Sequence, residues 1–180
     1  TDDSIQRVKS FKSIRIIQLT GDCNAAIARN IGYKVSNGKN LFFLDGDMEL
    51  IPEAFSNFYS NANGLFKPFL SGNLIYYFYD KEWNFIAKES RPHIKIDRNS
   101  YQSKAGGLFF IKRELWETVS GMKSYLKMGE DVDFSFRLAA KGYLLYRINT
   151  VLVNHHTISY LSNARKWKSL TDGSVLLGQS

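Results

Sequence analysis

The sequence predicts an α/β fold with a mixed, mainly parallel central sheet flanked by helices. Three observations predict it. Short apolar runs alternate with helical stripes through the first third of the chain. A wholly apolar run, Leu41–Leu44, follows one of those helices and ends in two acids. A second series of strand and helix patterns begins after Gly106-Gly107.

Ser13–Leu19 alternates and is rich in isoleucine, as a strand would be. Thr20-Gly21-Asp22 breaks it, and Asp22 is a candidate cap for a helix running to Val35. Ala26, Ile27, Asn30, Ile31 and Lys34 fall at helical spacing. Asn37-Gly38 marks a turn before the Leu41–Leu44 strand, expected to be central and parallel. Pro52 suits the first turn of a helix over Glu53–Ser60. Leu74–Tyr79 and Trp83–Ala87 read as a hairpin, and Arg91–Lys104 as a loop. Leu108–Ile111 is a strand, Arg113–Val119 a short helix closed by Gly121, and Glu130–Ala140 a helix ended by Gly142. Leu144–Ile148 and Val151–Val153 are strand-like. The expected organisation is one domain over residues 1–158, then a tail or helix over 159–180.

The chain has 180 residues, 44% hydrophobic and 14% aromatic, which excludes a disordered chain. At this length about 70% of the unfolded surface is hidden on folding. The net charge of +7 fits either a phosphate-bearing partner or a solubilising surface. The densest basic cluster, Arg165-Lys166-Trp167-Lys168, allows peripheral contact with membrane headgroups, though an ordinary solvated helix face explains it as well. The single cysteine, Cys23, forms no intramolecular disulfide and points to a reducing, cytoplasmic setting. It is expected as a small buried side chain. No apolar run approaches the ~20 residues of a membrane span, and no signal peptide is visible. No helix carries a basic stripe at base-reading spacing, so nucleic acid is not an expected partner.

Asp45 and Asp47 stand at the carboxyl end of the Leu41–Leu44 strand, where open α/β sheets place ligands. Two carboxylates around Gly46 can share a hard cation such as Mg²⁺ or Mn²⁺, leaving positions for diphosphate oxygens. They also fit a turn with two solvated acids. Glu130, Asp131 and Asp133 stand at a helix start, where the dipole stabilises each carboxylate by roughly 0.3–1 kcal/mol. Asp133 reads as capping. Asp131 or Glu130 could serve as a general base on a hydroxyl. His155-His156 follows an apolar strand and reads as either a structural pair or a ligand for an Mn²⁺-like ion.

Five segments together resemble family 2 glycosyltransferases of the GT-A fold. Asn24-Ala25-Ala26-Ile27-Ala28-Arg29-Asn30-Ile31-Gly32 is similar to that family's Ala-Arg-Asn-x-Gly helix, and Phe42–Asp47 to its Asp-x-Asp strand end. Ala105–Phe110 resembles its small-residue strand, Gly129–Leu138 its Glu-Asp helix, and Val153–His156 its late strand. The resemblance implies an inverting transfer from a nucleotide sugar, most readily a UDP-sugar, to a hydroxyl of a polysaccharide, cell-envelope glycan or glycolipid. It implies that Asp47 binds Mn²⁺ or Mg²⁺ with His155, ahead of His156, as a further ligand, and that Asp45 contacts ribose or metal-bound water. Asp131 would be the base, with Glu130 as second choice. Asn24 and Arg29 would lie near the nucleotide, and Gly106 and Gly107 near the donor sugar or acceptor. The family's first strand is expected to be missing, because Thr1-Asp2-Asp3-Ser4 resembles the end of its second strand and puts Asp3 in the substrate-binding set.

Two rivals stand beside this reading. A phosphatase of the haloacid dehalogenase type also carries an apolar strand ending in Asp-x-Asp, with Asp45 as nucleophile. However, that strand normally opens its fold. The other rival is a non-catalytic fragment that binds a nucleotide or glycan.

Overall fold

The computed structural model describes residues 3–56, 67–90, 100–102 and 104–159. Helix α1 spans Ser4–Val8, and Thr1 and Asp2 of the expected strand end lie outside the described residues. Helix α2 (Ala25–Val35) begins two residues later than an Asp22 cap would place it. Its cap is Asn24, whose Oδ1 accepts the Ile27 N–H at 2.9 Å, while Asp22 pairs with Lys127 at 2.9 Å. Cys23 is exposed, not buried.

The isoleucine-rich segment over Ser13–Leu19 is not a strand. Ile14, Ile16 and Ile17 are all exposed, so the alternation sorts no buried side from a solvated one. Among the described residues the segment pairs with no strand, and Arg15 ties it to the end of α2 by donating to the Val35 carbonyl at 3.0 Å.

The strands are β1 (Asn40–Leu44), β2 (Met48–Leu50), β3 (Phe69–Tyr79), β4 (Phe85–Ser90), β5 (Ser100–Gln102), β6 (Leu108–Lys112) and β7 (Leu145–Ile158). Residues 52–56 form helix α3 behind Pro52, and the rest of the Glu53–Ser60 expectation lies outside the described residues. Helices α4 (Arg113–Thr118) and α5 (Glu130–Ala139) follow β6.

The sheet runs β1-β6-β3-β7-β2, with β4 on β3 and β5 on β7. It is mixed, as expected, but among the described residues only β3 and β7 pair in parallel. So β1 is an edge strand, antiparallel to β6, and not a central parallel one. Its apolar run is explained differently. Phe42 and Phe43 point to opposite faces, and each face is covered by its own aromatic layer.

On one face Phe43 stacks on Phe109 and Trp116, both at 4.8 Å, under α2, α4 and α5. On the other Phe42 stacks on Phe110 at 4.2 Å, beside Leu70, Leu152 and Val153. Leu108–Ile111 is buried on both sides, which is why it reads as a continuous apolar run.

The β3–β4 hairpin forms as expected. Trp83 sits in its turn and not in a strand, because Asp80 Oδ1 accepts the backbone N–H groups of Glu82 and Asn84. The expected loop over Arg91–Lys104 contains strand β5, which pairs with β7 through Tyr101 and Tyr146. Leu144–Ile148 and Val151–Val153 are one strand that runs on through both histidines. Among the described residues no helix is long and apolar enough to cross a membrane. The Arg165–Lys168 cluster and most of the 159–180 segment lie outside the described residues.

Candidate active site

The site is built where β1 ends, β6 begins and α5 starts. Gly106-Gly107 is its hinge point. The Gly107 carbonyl accepts the Asp45 N–H at 2.9 Å, and the Gly106 N–H donates to Asp131 Oδ2 at 3.0 Å. A side chain at Gly107 would run into the Asp45 carboxylate and the Met48 methyl group, so only glycine lets that carboxylate lie against the strand start. Gly129 adopts φ +73 immediately before α5, aiming Glu130 and Asp131 from the helix's first turn.

Ser135 was not anticipated from sequence, yet it locks this corner. Its Oγ accepts the Ala105 N–H at 2.9 Å and donates to the Asp131 carbonyl at 2.7 Å. The available signal was its position one turn after Asp131 on a helix facing a Gly-Gly segment.

Arg29 reaches the same corner from α2. Its Nη2 donates to Asp45 Oδ1 and its Nη1 to Glu130 Oε1, both at 2.7 Å. Its side chain is 8% exposed. Burial works against its charge, but Asp45 and Glu130 outweigh that, so its pKa lies above the ordinary arginine value. Asp133 pairs with Arg137 at 2.7 Å and Lys123 at 3.2 Å, and no side chain caps α5, so it serves as an ion-pair partner and not as the expected cap.

Asp47 lies on the β1–β2 turn and faces β7. Its Oδ2 is 3.0 Å from His155 Nε2, and its carbonyl accepts the His156 N–H at 2.8 Å. His155 packs on Tyr76 at 4.9 Å, and its Nδ1 is buried without a partner among the described residues. His156 points the other way. Its Nδ1 meets the Tyr79 hydroxyl at 2.9 Å and its Nε2 stands 3.4 Å from Glu49.

Asn24 is occupied as a cap and donates to the Ser124 carbonyl at 2.7 Å. Asp3 stands immediately before α1 and pairs with Arg7 at 2.8 Å. A groove of about 490 Å³ lies between α2 and the edge of β1, lined by Ala28, Gly32, Leu41 and Phe43, and it reaches Arg29 and Asp45. Among the described residues no three His, Cys, Asp or Glu side chains converge closely enough to enclose an ion.

Residues 1–129 match the family described as Glycosyl transferase family 2. A Haemophilus influenzae protein named an uncharacterized glycosyltransferase is 26% identical over 149 residues, covering 77% of this chain and 49% of that protein. The crystal structure of S. aureus TarS 1–349 in complex with UDP-GlcNAc has a TM-score of 0.64 at 14% identity, over 87% of this chain and 46% of that one. The crystal structure of GalNAc-T7 with UDP, GalNAc and Mn²⁺ has a TM-score of 0.54 at 17% identity, over 74% of this chain and 30% of that one. This chain thus spans about half the length of its curated relative and less than half of these two structures. The structural likenesses show the shared GT-A fold, and the family match leaves no place for the haloacid dehalogenase reading. By its match over residues 1–129, the chain belongs to glycosyl transferase family 2.

Proposed function

We propose that this chain carries the catalytic core of an inverting glycosyltransferase, over residues 1–158, that moves a sugar from a nucleoside-diphosphate sugar to an acceptor hydroxyl. The observation that carries the reading is the double use of Gly106-Gly107. One dipeptide holds the acid at the end of β1 and the acid at the start of α5, through hydrogen bonds of 2.9 and 3.0 Å. A donor diphosphate and an attacking hydroxyl would need that juxtaposition.

Asp131 is the proposed base. Its Oδ2 is fixed by the Gly106 N–H, leaving Oδ1 to take the proton of the acceptor hydroxyl. Glu130 is the weaker candidate because Arg29 already occupies Oε1. In the transfer, the acceptor oxygen bonds to the anomeric carbon as the carbon–oxygen bond to the diphosphate breaks, and no protein nucleophile is used.

The residues present fit a divalent cation. Asp45, Glu130 and Asp131 set three carboxylates around one guanidinium, and Asp47 adds a fourth on the turn that follows Asp45, in a chain whose net charge is +7. Such a corner repels a diphosphate unless a cation intervenes. Asp47 Oδ2 and His155 Nε2 would hold the ion, and a mixed carboxylate–imidazole set suits Mn²⁺ better than Mg²⁺. When bound, such an ion supplies charge neutralisation for the leaving diphosphate. UDP-sugars are the proposed donors, and a glycan or glycolipid the proposed acceptor. In support, structurally similar proteins have been crystallised with UDP-GlcNAc and with UDP and Mn²⁺.

The test measures nucleoside diphosphate released from UDP-sugars with Mn²⁺, comparing wild type with Asp131→Asn. Strong loss in the variant is expected. Equal rates in both would remove Asp131 as base. If neither turns over while UDP still binds, the chain is a binding module.

A further inference from the structure

The sheet face that carries His156, opposite the Asp47–His155 pair, bears an aromatic surface for which the transfer chemistry has no use. His156 stacks on Tyr77 at 5.2 Å and lies 5.8 Å from Tyr79. Phe85 of β4 closes on both tyrosines, at 6.2 and 6.1 Å, and Trp83 in the hairpin turn lies 5.5 Å from Tyr79. Trp83 is 59% exposed and Phe85 58%. A polar rim runs beside these rings. The Tyr79 hydroxyl meets His156 Nδ1 at 2.9 Å, and Glu49 Oε2 accepts from Asn154 at 3.2 Å and stands 3.4 Å from His156 Nε2.

Trp83 is also held at φ +65, a backbone conformation that is costly for a bulky side chain and easier for glycine or asparagine. The turn is nonetheless fixed there. Asp80 Oδ1 accepts the N–H groups of Glu82 and Asn84 at 2.9 and 2.8 Å, and its Oδ2 accepts Asn84 Nδ2 at 2.9 Å. Folding alone gives no reason to hold a strained residue so that it shows an indole to solvent, whereas ligand clamps are where such strain collects.

We propose that Trp83, Phe85, Tyr79 and Tyr77 form a docking platform for an uncharged glycan chain. A sugar ring has a face of C–H groups, which packs on the negative face of an aromatic ring, and a rim of hydroxyls, which needs fixed donors and acceptors. The rings supply the first, and Glu49, Asn154 and the Tyr79 hydroxyl supply the second. Charge selects against other occupants. The hairpin carries Asp80, Glu82 and Glu89 against Lys81 and Lys88, in a chain whose net charge is +7, so its acids repel an anionic membrane or a polyanion. Among the described residues β4 pairs only with β3, and Lys88 and Glu89 blunt its open edge against a second copy. That the docked glycan is the acceptor rests on the transferase reading above. In that role the platform raises the effective concentration of the chain being extended.

The experiment titrates the full chain, without donor or metal, with cello-, chito- and malto-hexasaccharides, following the indole N–H signals by NMR. At least one sugar is expected to shift the Trp83 signal saturably and to leave in place that of Trp116, which is 1% exposed. Trp83→Asn should weaken that binding at least about tenfold. Its Tm should hold or rise, because asparagine adopts φ +65 more readily than tryptophan. Trp83→Phe keeps an aromatic face and should lose no more than about threefold. No saturable shift with any of the three sugars would overturn the proposal, as would full binding by Trp83→Asn. Binding lost together with a lowered Tm would make Trp83 a packing residue and overturn it too. Phosphatidylglycerol vesicles that shift Trp83 where the sugars do not would make the face a lipid contact. Self-association that Trp83→Asn abolishes would make it a contact between copies. Either result overturns the proposal. If the wild type releases no nucleoside diphosphate from any UDP-sugar, the transferase reading fails and the glycan is not an acceptor, while the binding result stands by itself.

Discussion

The two halves of the candidate site are built on opposite physical principles. The half formed by Arg29, Asp45, Glu130 and Asp131 is pre-paired and closed around a buried guanidinium, with Asp45, 40% exposed, keeping an open side. Arg29 is 8% exposed and Glu130 12%, and each is in an ion pair. Removing one partner of such a pair leaves a buried charge uncompensated, so the arrangement is rigid. The half formed by Asp47 and His155 is open. Asp47 is 48% exposed and has its imidazole neighbour at 3.0 Å, a contact that is ionic only if His155 is protonated. The difference separates a part that must keep one geometry from a part that must admit and release something.

The largest expected effect tests the closed half. Asp131→Asn keeps a group that can accept the Gly106 N–H, so the corner stays folded. Turnover should nevertheless fall by about 10²–10⁴, the usual contribution of a positioned base. Steady-state kinetics with Mn²⁺ and a UDP-sugar measure it. A loss under about threefold would show that the closed half aligns groups without supplying a base.

Gly107→Ala should cost less, about 10-fold to 10²-fold in kcat. Its new methyl meets the Asp45 carboxylate and the Met48 side chain, and Asp45 can yield only by disturbing its bond to Arg29. A crystal structure of the variant should show Asp45 turned away from Arg29. An unmoved Asp45 with full activity would mean that the closed half is softer than its ion pairs imply.

The open half is sharpened by its two adjacent histidines. Strand β7 alternates them across the sheet, so they face different acids. His156 has both ring nitrogens engaged, by Tyr79 and Glu49, and stacks on Tyr77 at 5.2 Å. His155 Nδ1 is buried without a partner among the described residues, while its Nε2 faces Asp47 at 3.0 Å. His155→Ala should weaken Mn²⁺ binding at least about tenfold, and His156→Ala less than about twofold, by calorimetric titration. Equal losses would erase the distinction.

The sequence carried the local elements around the candidate site better than it carried the sheet. The Asp45-Gly46-Asp47 turn, the Glu130-Asp131 helix start and Gly106-Gly107 were legible because each is a local pattern: an apolar strand ending in acids, a capped helix, a side-chain-free approach. The sheet was less legible because pairing is non-local. Leu41–Leu44 is apolar for the reason a central parallel strand would be, burial on both faces, yet aromatic layers achieve the same thing at an edge. Ser13–Leu19 has the right alternation but, among the described residues, no strand to pair with. The Arg29 fork was invisible as geometry, since its two acids lie 16 and 101 residues away along the chain. Arg29 was expected to lie near the nucleotide, and what it touches here is carboxylates.

The smallest expected effect concerns the sheet face opposite Asp47. Asn154 hydrogen-bonds the Glu49 carboxylate at 3.2 Å and His156 stands next to it, and these hold its pKa below the ordinary glutamate value. A carboxylate with a depressed folded pKa contributes stability that is complete above its unfolded pKa, about 4.3, and is lost as pH falls through the folded value. Glu49 is solvent-exposed, so the contribution is small and screened by salt. Glu49→Gln should therefore lower Tm by no more than a few degrees at pH 7, with the gap closing as the pH is taken below about 4. Mn²⁺ binding should not change, because Asp47 and His155 are left as they are. A gap that persists in acid would mean that the amide loses packing and not charge. A change in Mn²⁺ affinity would join the two faces of β7 into one site and undo the separation between its histidines.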